Sequence, residues 1–199
     1  MKKFKIGYYP KFELSINYNV PLELEETLKK AWNRRYGDLY ERGGQDNVKE
    51  AFEEVLQAFG MPSDAISHRR YVYMAYAMAL AAQPTIKHYF PEEYKIDSVQ
   101  AIVSCWLKDS CEIPETWVDT LFPNINEIGR YQAADEAYNI FYGLLKTLNP
   151  KTAYNAILDI LYDAITGDAI SGFAAAYFLK VPSTLYSGQW EFSPLSEIE

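Results

Sequence analysis

The sequence predicts an all-α protein, a single-domain bundle of about seven to eight helices with a short extended or β N-terminal arm. Apolar residues recur at three- and four-residue spacing through most of the chain, and Pro and Gly divide it into segments of helical length. Only residues 1–20 alternate in part, as a strand does. The length of 199 residues, with no linker, predicts one domain over 1–199.

The arm and the first helix meet at Pro21. Residues 1–20 hold two short β-like stretches on either side of Pro10, which predicts strands or an extended arm. Pro21 suits the first turn of a helix, and the glutamates that follow suit the positive end of its dipole. This helix is expected to run to about Arg42, before the stop at Gly43-Gly44.

Capping residues delimit the second and third helices. Asp46 or Asn47 is expected to cap the second helix, and Gly60 to end it. Ser67 is expected to cap the third, which Pro84 closes. Alanines in the third helix permit close approach of its neighbours.

Further helical segments follow, and a tail without helical period ends the chain. Helices are predicted after Asp97, between Pro114 and Pro123, over 128–148, from Pro150 to Gly167 and over 168–179, with an irregular tail over 182–199.

The charge is unevenly distributed. The net charge of −8 divides into +1 over residues 1–96 (14 Lys/Arg, 13 Asp/Glu) and −9 over 97–199 (5 Lys/Arg, 14 Asp/Glu). An acidic half repels phosphate backbones and attracts a basic partner. The alternative is that these acids only solvate helix faces. We expect no nucleic-acid partner.

Several classes of site and location are disfavoured. The chain has neither a phosphate-binding loop nor a nucleophile elbow, and its two histidines fit no metal motif, so no cofactor is predicted. Cys105 and Cys111 are too few for a disulfide framework and are interpreted as small buried hydrophobes. No apolar run is long enough to span a bilayer, and we expect a cytoplasmic protein.

Acidic residues on helices leave an enzymatic alternative open. Glu50, Glu53 and Glu54 share one predicted helix, and Asp159 and Asp163 lie one turn apart on another. Carboxylates are the ligands that magnesium and manganese use in small all-α hydrolases. Solvated helix faces explain the same acids more simply.

Tyrosine is unusually abundant, with 17 residues alongside four Trp. Tyr131, Tyr138 and Tyr142 share a predicted helix face with Asp135, opposite an apolar stripe. Rigid amphipathic rings are enriched at recognition surfaces, so this face suits a basic protein partner. The simpler alternative is that these rings are half-buried between helices with their hydroxyls in water.

Residues 70–140 resemble a known family. An aromatic-Pro-acidic turn, Phe90-Pro91-Glu92-Glu93, leads into a helix containing Ala101-Ile102 and Trp106-Leu107, and QAADEAYNIFY follows. This pattern resembles the all-α immunity proteins encoded beside bacterial polymorphic toxins, although Asp109 stands where that family has Gly-Glu. The resemblance implies binding and neutralisation of a cognate toxin, often a nuclease, without catalysis.

We therefore predict a non-catalytic protein-binding module, specifically an immunity protein that neutralises a basic toxin. The expected contact residues are Asp109, Glu112, Glu115, Trp117, Asp119, Tyr131, Asp135 and Tyr138. Two alternatives remain open: the metal-dependent hydrolase, and an oligomeric scaffold, such as a homodimer, whose aromatic surface is a subunit contact.

Overall fold

The computed structural model of the chain describes residues 21–108 and 132–166. This part is helical, which confirms the all-α prediction for it, and it contains no strand beyond an isolated bridge between Tyr36 and Asp46. The helices are α1 (Leu22–Asn33), α2 (Val48–Phe59), α3 (Ala65–Tyr89), α4 (Lys95–Leu107), α5 (Gln132–Thr147) and α6 (Ala153–Thr166).

Several predictions fall outside these residues. They are the N-terminal arm over 1–20, the helix between Pro114 and Pro123, the helix over 168–179 and the tail over 182–199. The total of seven to eight helices therefore stays a prediction. In the part of the chain that is described, no helix combines the length and apolarity that a bilayer crossing needs.

Side-chain and glycine caps fix the ends of α2 and the start of α3. Asn47 Oδ1 accepts the N–H groups of Lys49 at 2.8 Å and Glu50 at 3.2 Å, as predicted for this cap. Gly60 ends α2 at φ 100°, a region that favours glycine. The cap of α3 is Asp64 rather than Ser67, because the Asp64 carboxylate accepts the Ser67 N–H at 2.8 Å.

Four further predicted helix ends were wrong, one of them the start of α4, which lies at Lys95 rather than after Asp97. The first helix ends at Asn33, not near Arg42, and a hydrogen-bonded loop follows. α3 continues through Pro84 to Tyr89. The packing of α3 against its neighbouring helices outweighs the single backbone hydrogen bond that Pro84 removes. Pro150 lies in the turn before α6, which begins at Ala153.

α3 is the central helix of the described core and packs against α4, α5 and α6. Its Ala75, Ala79 and Ala82 are fully buried, which allows the close approach expected of them. α5 also packs on α6, and α2 contacts both α1 and α6. The Phe59 and Tyr71 rings join α2 to α3 edge to face, with centroids 5.8 Å apart.

The first turn of α3 also holds the C-terminal ends of two other helices. The His68 Nε2–H donates to the Thr147 carbonyl at the end of α5, at 2.8 Å. The Arg69 guanidinium donates to the Leu107 carbonyl at the end of α4. These donors satisfy carbonyls that have no partner within their own helices. Cys105, which is free, is only half-buried on α4.

Candidate protein-binding site

The turn between α3 and α4 carries the aromatic-Pro-acidic motif and presents exposed rings. Phe90 is the C-cap of α3, and Pro91 follows it. Tyr94 is 71% exposed and Tyr89 37%, and Glu92 is exposed between them in the sequence. Tyrosine rings at the surface are enriched where proteins bind one another. We therefore take residues 89–94, hereafter the aromatic turn, as the candidate site.

One carboxylate fixes the aromatic turn to two helices. Glu93 Oε1 accepts the backbone N–H of Lys95 at 2.7 Å, in the first turn of α4. Tyr94 is the N-cap of α4 but makes no side-chain cap there, so Glu93 takes over that role. Glu93 Oε2 accepts the hydroxyl of Tyr138 on α5 at 3.0 Å.

Lys87, in the last turn of α3, holds the aromatic turn from the other side. Its amine donates to the Glu93 carbonyl at 2.6 Å and to Asp97 Oδ2 at 2.7 Å. The Lys87 side chain is 33% exposed and that of Asp97 51%, so solvent screens this ion pair. The Lys87 contacts mainly restrain the conformation of the turn. A turn restrained in this way loses little entropy on binding.

Tyr138 does not lie on an exposed face, and that part of the prediction was wrong. The residue is 2% exposed, and its ring packs against Phe90 with centroids 6.1 Å apart. Burial, with the hydrogen bond to Glu93, raises the pKa of the Tyr138 hydroxyl well above its usual range. α5 contacts α3, α4 and α6, so its buried face is wider than one apolar stripe indicates. Tyr138 positions Glu93 instead of touching a partner.

Of the other predicted contact residues, only Asp135 lies in the described part of the chain. Asp135 is half-buried, and its Oδ1 is buried without a hydrogen-bond partner among the described residues. Tyr142, which was expected on the same face, is half-buried beneath the Lys146 amine, 4.1 Å from the ring centroid. The remaining predicted contacts lie outside the described residues: Asp109, Glu112, Glu115, Trp117, Asp119 and Tyr131.

Most of the described tyrosines are not exposed, but the hydroxyls of Tyr36, Tyr71 and Tyr138 donate to protein oxygens, whereas the simpler account expects them to lie in water. Of the eleven tyrosines in 21–108 and 132–166, only Tyr40, Tyr89 and Tyr94 are exposed. The others are buried or half-buried. Two of the three exposed rings therefore belong to the aromatic turn.

Within the described residues, the glutamates of α2 do not form the metal site of the enzymatic alternative. Glu54 accepts hydrogen bonds from Lys30 at 2.8 Å and Arg34 at 2.7 Å, and these contacts lower its pKa. Glu54 thus joins α1 to α2. In the two described stretches, no group of three or more His, Cys, Asp or Glu side chains could hold a metal ion, and this includes Glu50 and Glu53.

The second acidic pair, Asp159 and Asp163, is only partly exposed to solvent. Asp159 is exposed, but Asp163 is half-buried one turn later on α6. Burial raises the Asp163 pKa, and the neighbouring charges of Asp159 and Glu136 raise it further.

Over residues 21–108 and 132–166, the fold and the site define an all-α protein whose aromatic turn is held by hydrogen bonds to α3, α4 and α5. Comparison with protein-family models, with curated proteins and with solved structures finds no match for the chain.

Proposed function

We propose that the chain is a non-catalytic protein-binding module that neutralises a basic toxin protein by binding to its surface. The observation that carries the proposal is the aromatic turn, where Tyr94 is 71% exposed while Glu93 and Lys87 fix the backbone beneath it. The same turn lies within the segment that resembles bacterial immunity proteins.

Charge supports a cationic partner. The chain carries a net charge of −8. Residues 97–199 have a net charge of −9, whereas residues 1–96 have a net charge of +1. In this proposal the Tyr94 ring provides a compact anchor, and carboxylates such as Glu92 orient the partner and speed the encounter. A basic nuclease, which must hold nucleic acid, has the complementary surface.

The direct functional test uses the product of the neighbouring gene, because the immunity proteins that residues 70–140 resemble are encoded beside their toxins. That product is expressed alone and together with this chain. We expect it to arrest growth alone, and co-expression to restore growth with recovery of a stable complex. A neighbouring product that is harmless, or that forms no complex with the chain, contradicts the proposal.

Charge reversal separates specific docking from general attraction. Changing Asp109, Glu112, Glu115 and Asp119 to Lys brings the net charge of −8 to zero. We expect association with the toxin to slow about tenfold or more at low salt and much less at high salt, as stopped-flow mixing measures.

The matched control makes the same change of net charge elsewhere. Glu23, Glu26, Asp46 and Glu50 are all exposed, on α1, on α2 and in the loop between them. Their reversal to Lys should slow association less than the first variant does. Equal slowing by both variants would show that only overall charge matters, and would contradict docking through the predicted acids.

A further inference from the structure

Three large aliphatic or thioether side chains are exposed at the start of the described bundle. Leu22, which begins α1, is 68% exposed, Met61 in the turn after α2 is 56% exposed, and Ile66 in the first turn of α3 is 63% exposed. The other large apolar side chains that are exposed among the described residues are all tyrosines, whose hydroxyls suit water. These three have no polar group, so we call them the apolar patch and ask what covers them.

The backbone brings the apolar patch together at one end of the bundle. The bridge in the loop after α1 brings the end of α1 next to the start of α2, so these packed helices run antiparallel. Leu22 before the first turn and Met61 after the last turn therefore lie at the same end of the pair. The Met61 carbonyl accepts the N–H of Asp64, the cap of α3, at 3.1 Å. Because this tight turn starts α3 at the same end, Ile66 lies there too.

Exposed acids accompany the apolar patch. Glu23 and Glu26 near the start of α1 and Asp64 before α3 are exposed. The cations of the same helices are engaged within the fold. The first two lysines of α1 pair with glutamates, Arg69 donates to the end of α4, and Arg70 lies over an aromatic ring of α2. The surface therefore suits an apolar occupant that is accompanied by positive charge.

Residues 12–20, which lie outside the described residues, have the matching pattern. Apolar and polar residues alternate strictly along FELSINYNV, so an extended conformation puts five apolar side chains on one face. The lysines precede this stretch, and with four Lys and one Glu they give residues 1–20 a net charge of +3. Nine extended residues span roughly 30 Å, which is enough to cross three helices packed about 8–10 Å apart.

We propose that residues 12–20 of the same chain pack in extended conformation across the apolar patch, with the preceding lysines toward its exposed acids. Pro21 joins this segment directly to Leu22, so the local concentration of the segment at the patch is on the order of 1 mM. A second copy of the chain fits less well, because a symmetric contact would bring Glu23, Glu26 and Asp64 of both copies together. The inference is independent of the toxin proposal.

Chymotrypsin tests the inference on the full-length protein, because this protease cleaves after aromatic residues. Mass spectrometry follows the cuts after Phe12 and Tyr18. The Met61→Gln/Ile66→Gln double variant should speed both cuts about tenfold or more, since a segment released from the patch is open to the protease. Both substituted side chains are exposed, so the helical circular dichroism should stay the same.

The matched control removes two exposed rings at other places. Tyr40→Gln/Tyr94→Gln should leave the rates of both cuts unchanged. A second measurement needs no substitution of the patch. With the methionine methyl groups labelled with ¹³C, the Met61 methyl should give nuclear Overhauser cross-peaks to the aromatic protons of residues 12–20 within one molecule.

Each other result overturns the inference. Equal cutting rates in the unchanged protein and in Met61→Gln/Ile66→Gln would show that the apolar patch does not hold the segment. Equal acceleration by the control variant, or a Met61 methyl without cross-peaks to residues 12–20, would do the same. Cross-peaks that arise only between differently labelled molecules in a mixed sample would assign the patch to a second copy of the chain.

Discussion

Tyrosine serves two purposes in this chain, and burial separates them. Tyr138 and Tyr71 are buried, and their hydroxyls hold other groups: Tyr138 holds Glu93, while Tyr71 donates to the Leu56 and Gly60 carbonyls at the end of α2. Tyr94 and Tyr40 expose their rings. The excess of tyrosine is visible in the sequence. Helical spacing alone, however, predicted that Tyr138 lies on the surface, where the structure does not place it.

Tyr40→Gly should stabilise the protein. Glycine adopts φ 57° without the steric cost that Tyr40 bears, and the exposed ring contributes no packing. We expect the free energy of unfolding to rise by about 0.5–1 kcal/mol, a Tm increase of about 1–4 °C for a chain of this size. Tyr40→Ala, which keeps a Cβ, is the control and should give less. A loss of stability in Tyr40→Gly would show that the ring serves the fold.

Alkaline pH should unfold the protein through its buried tyrosines. Burial raises the pKa of Tyr36 to about 12, and it raises those of Tyr71 and Tyr138 further, whereas the unfolded value is about 10. The stabilisation by these hydroxyls is complete below pH about 10 and is lost as the pH rises through the folded-state values. Urea titrations at several pH values measure the decline.

Tyr138→Phe provides the control for the alkaline effect. Without the hydroxyl, this residue cannot ionise, so stability should fall less steeply above pH 10 than in the unchanged protein. At neutral pH the variant should be less stable by about 1–3 kcal/mol, because Glu93 loses a donor. An identical alkaline slope in the two proteins would contradict the part assigned to Tyr138.

At the scale of the helices, most caps could be predicted from the local residue types. The effects of packing between helices could not be predicted in this way. Asn47 and Gly60 delimit α2 as their residue types predict. Pro84 did not stop α3, because packing of α3 against three helices outweighs one missing hydrogen bond. The cap at Asp64 was missed, although its carboxylate stands three residues before Ser67, the usual spacing for a cap.

The contact between α5 and α6 depends on a glycine. A Cβ on Gly143 would lie 2.6 Å from Ile160 Cγ1 and 2.9 Å from its Cδ1. Alanine favours a helix, yet here overpacking should win, and Gly143→Ala should cost about 1–3 kcal/mol in urea unfolding.

Ile160→Val, which removes Cδ1, should restore part of that loss when combined with Gly143→Ala. The double variant should therefore be more stable than the sum of the two single changes predicts. Strict additivity, or a stabilising Gly143→Ala, would show that α5 and α6 do not approach as closely as described.

At the scale of the whole molecule, the sequence predicted the helical class and the uneven charge but not the geometry of the site. The motif at Phe90-Pro91-Glu92-Glu93 carried the family resemblance, but the predicted contact residues did not include this turn. The exposure of Tyr94 could not be predicted, because it depends on how α3, α4 and α5 meet. The role of Glu93 was equally hidden, since its partner Tyr138 lies 45 residues later in the chain.

The most direct measurement is the dissociation rate of the complex that we propose forms between this protein and the product of the neighbouring gene. Replacing Tyr94 by Ala should speed dissociation about thirtyfold or more, as loss of a central aromatic anchor does, and Tyr40→Ala should leave the rate unchanged. An unchanged rate for Tyr94→Ala, with the complex still formed, would contradict the assignment of the aromatic turn as the docking site.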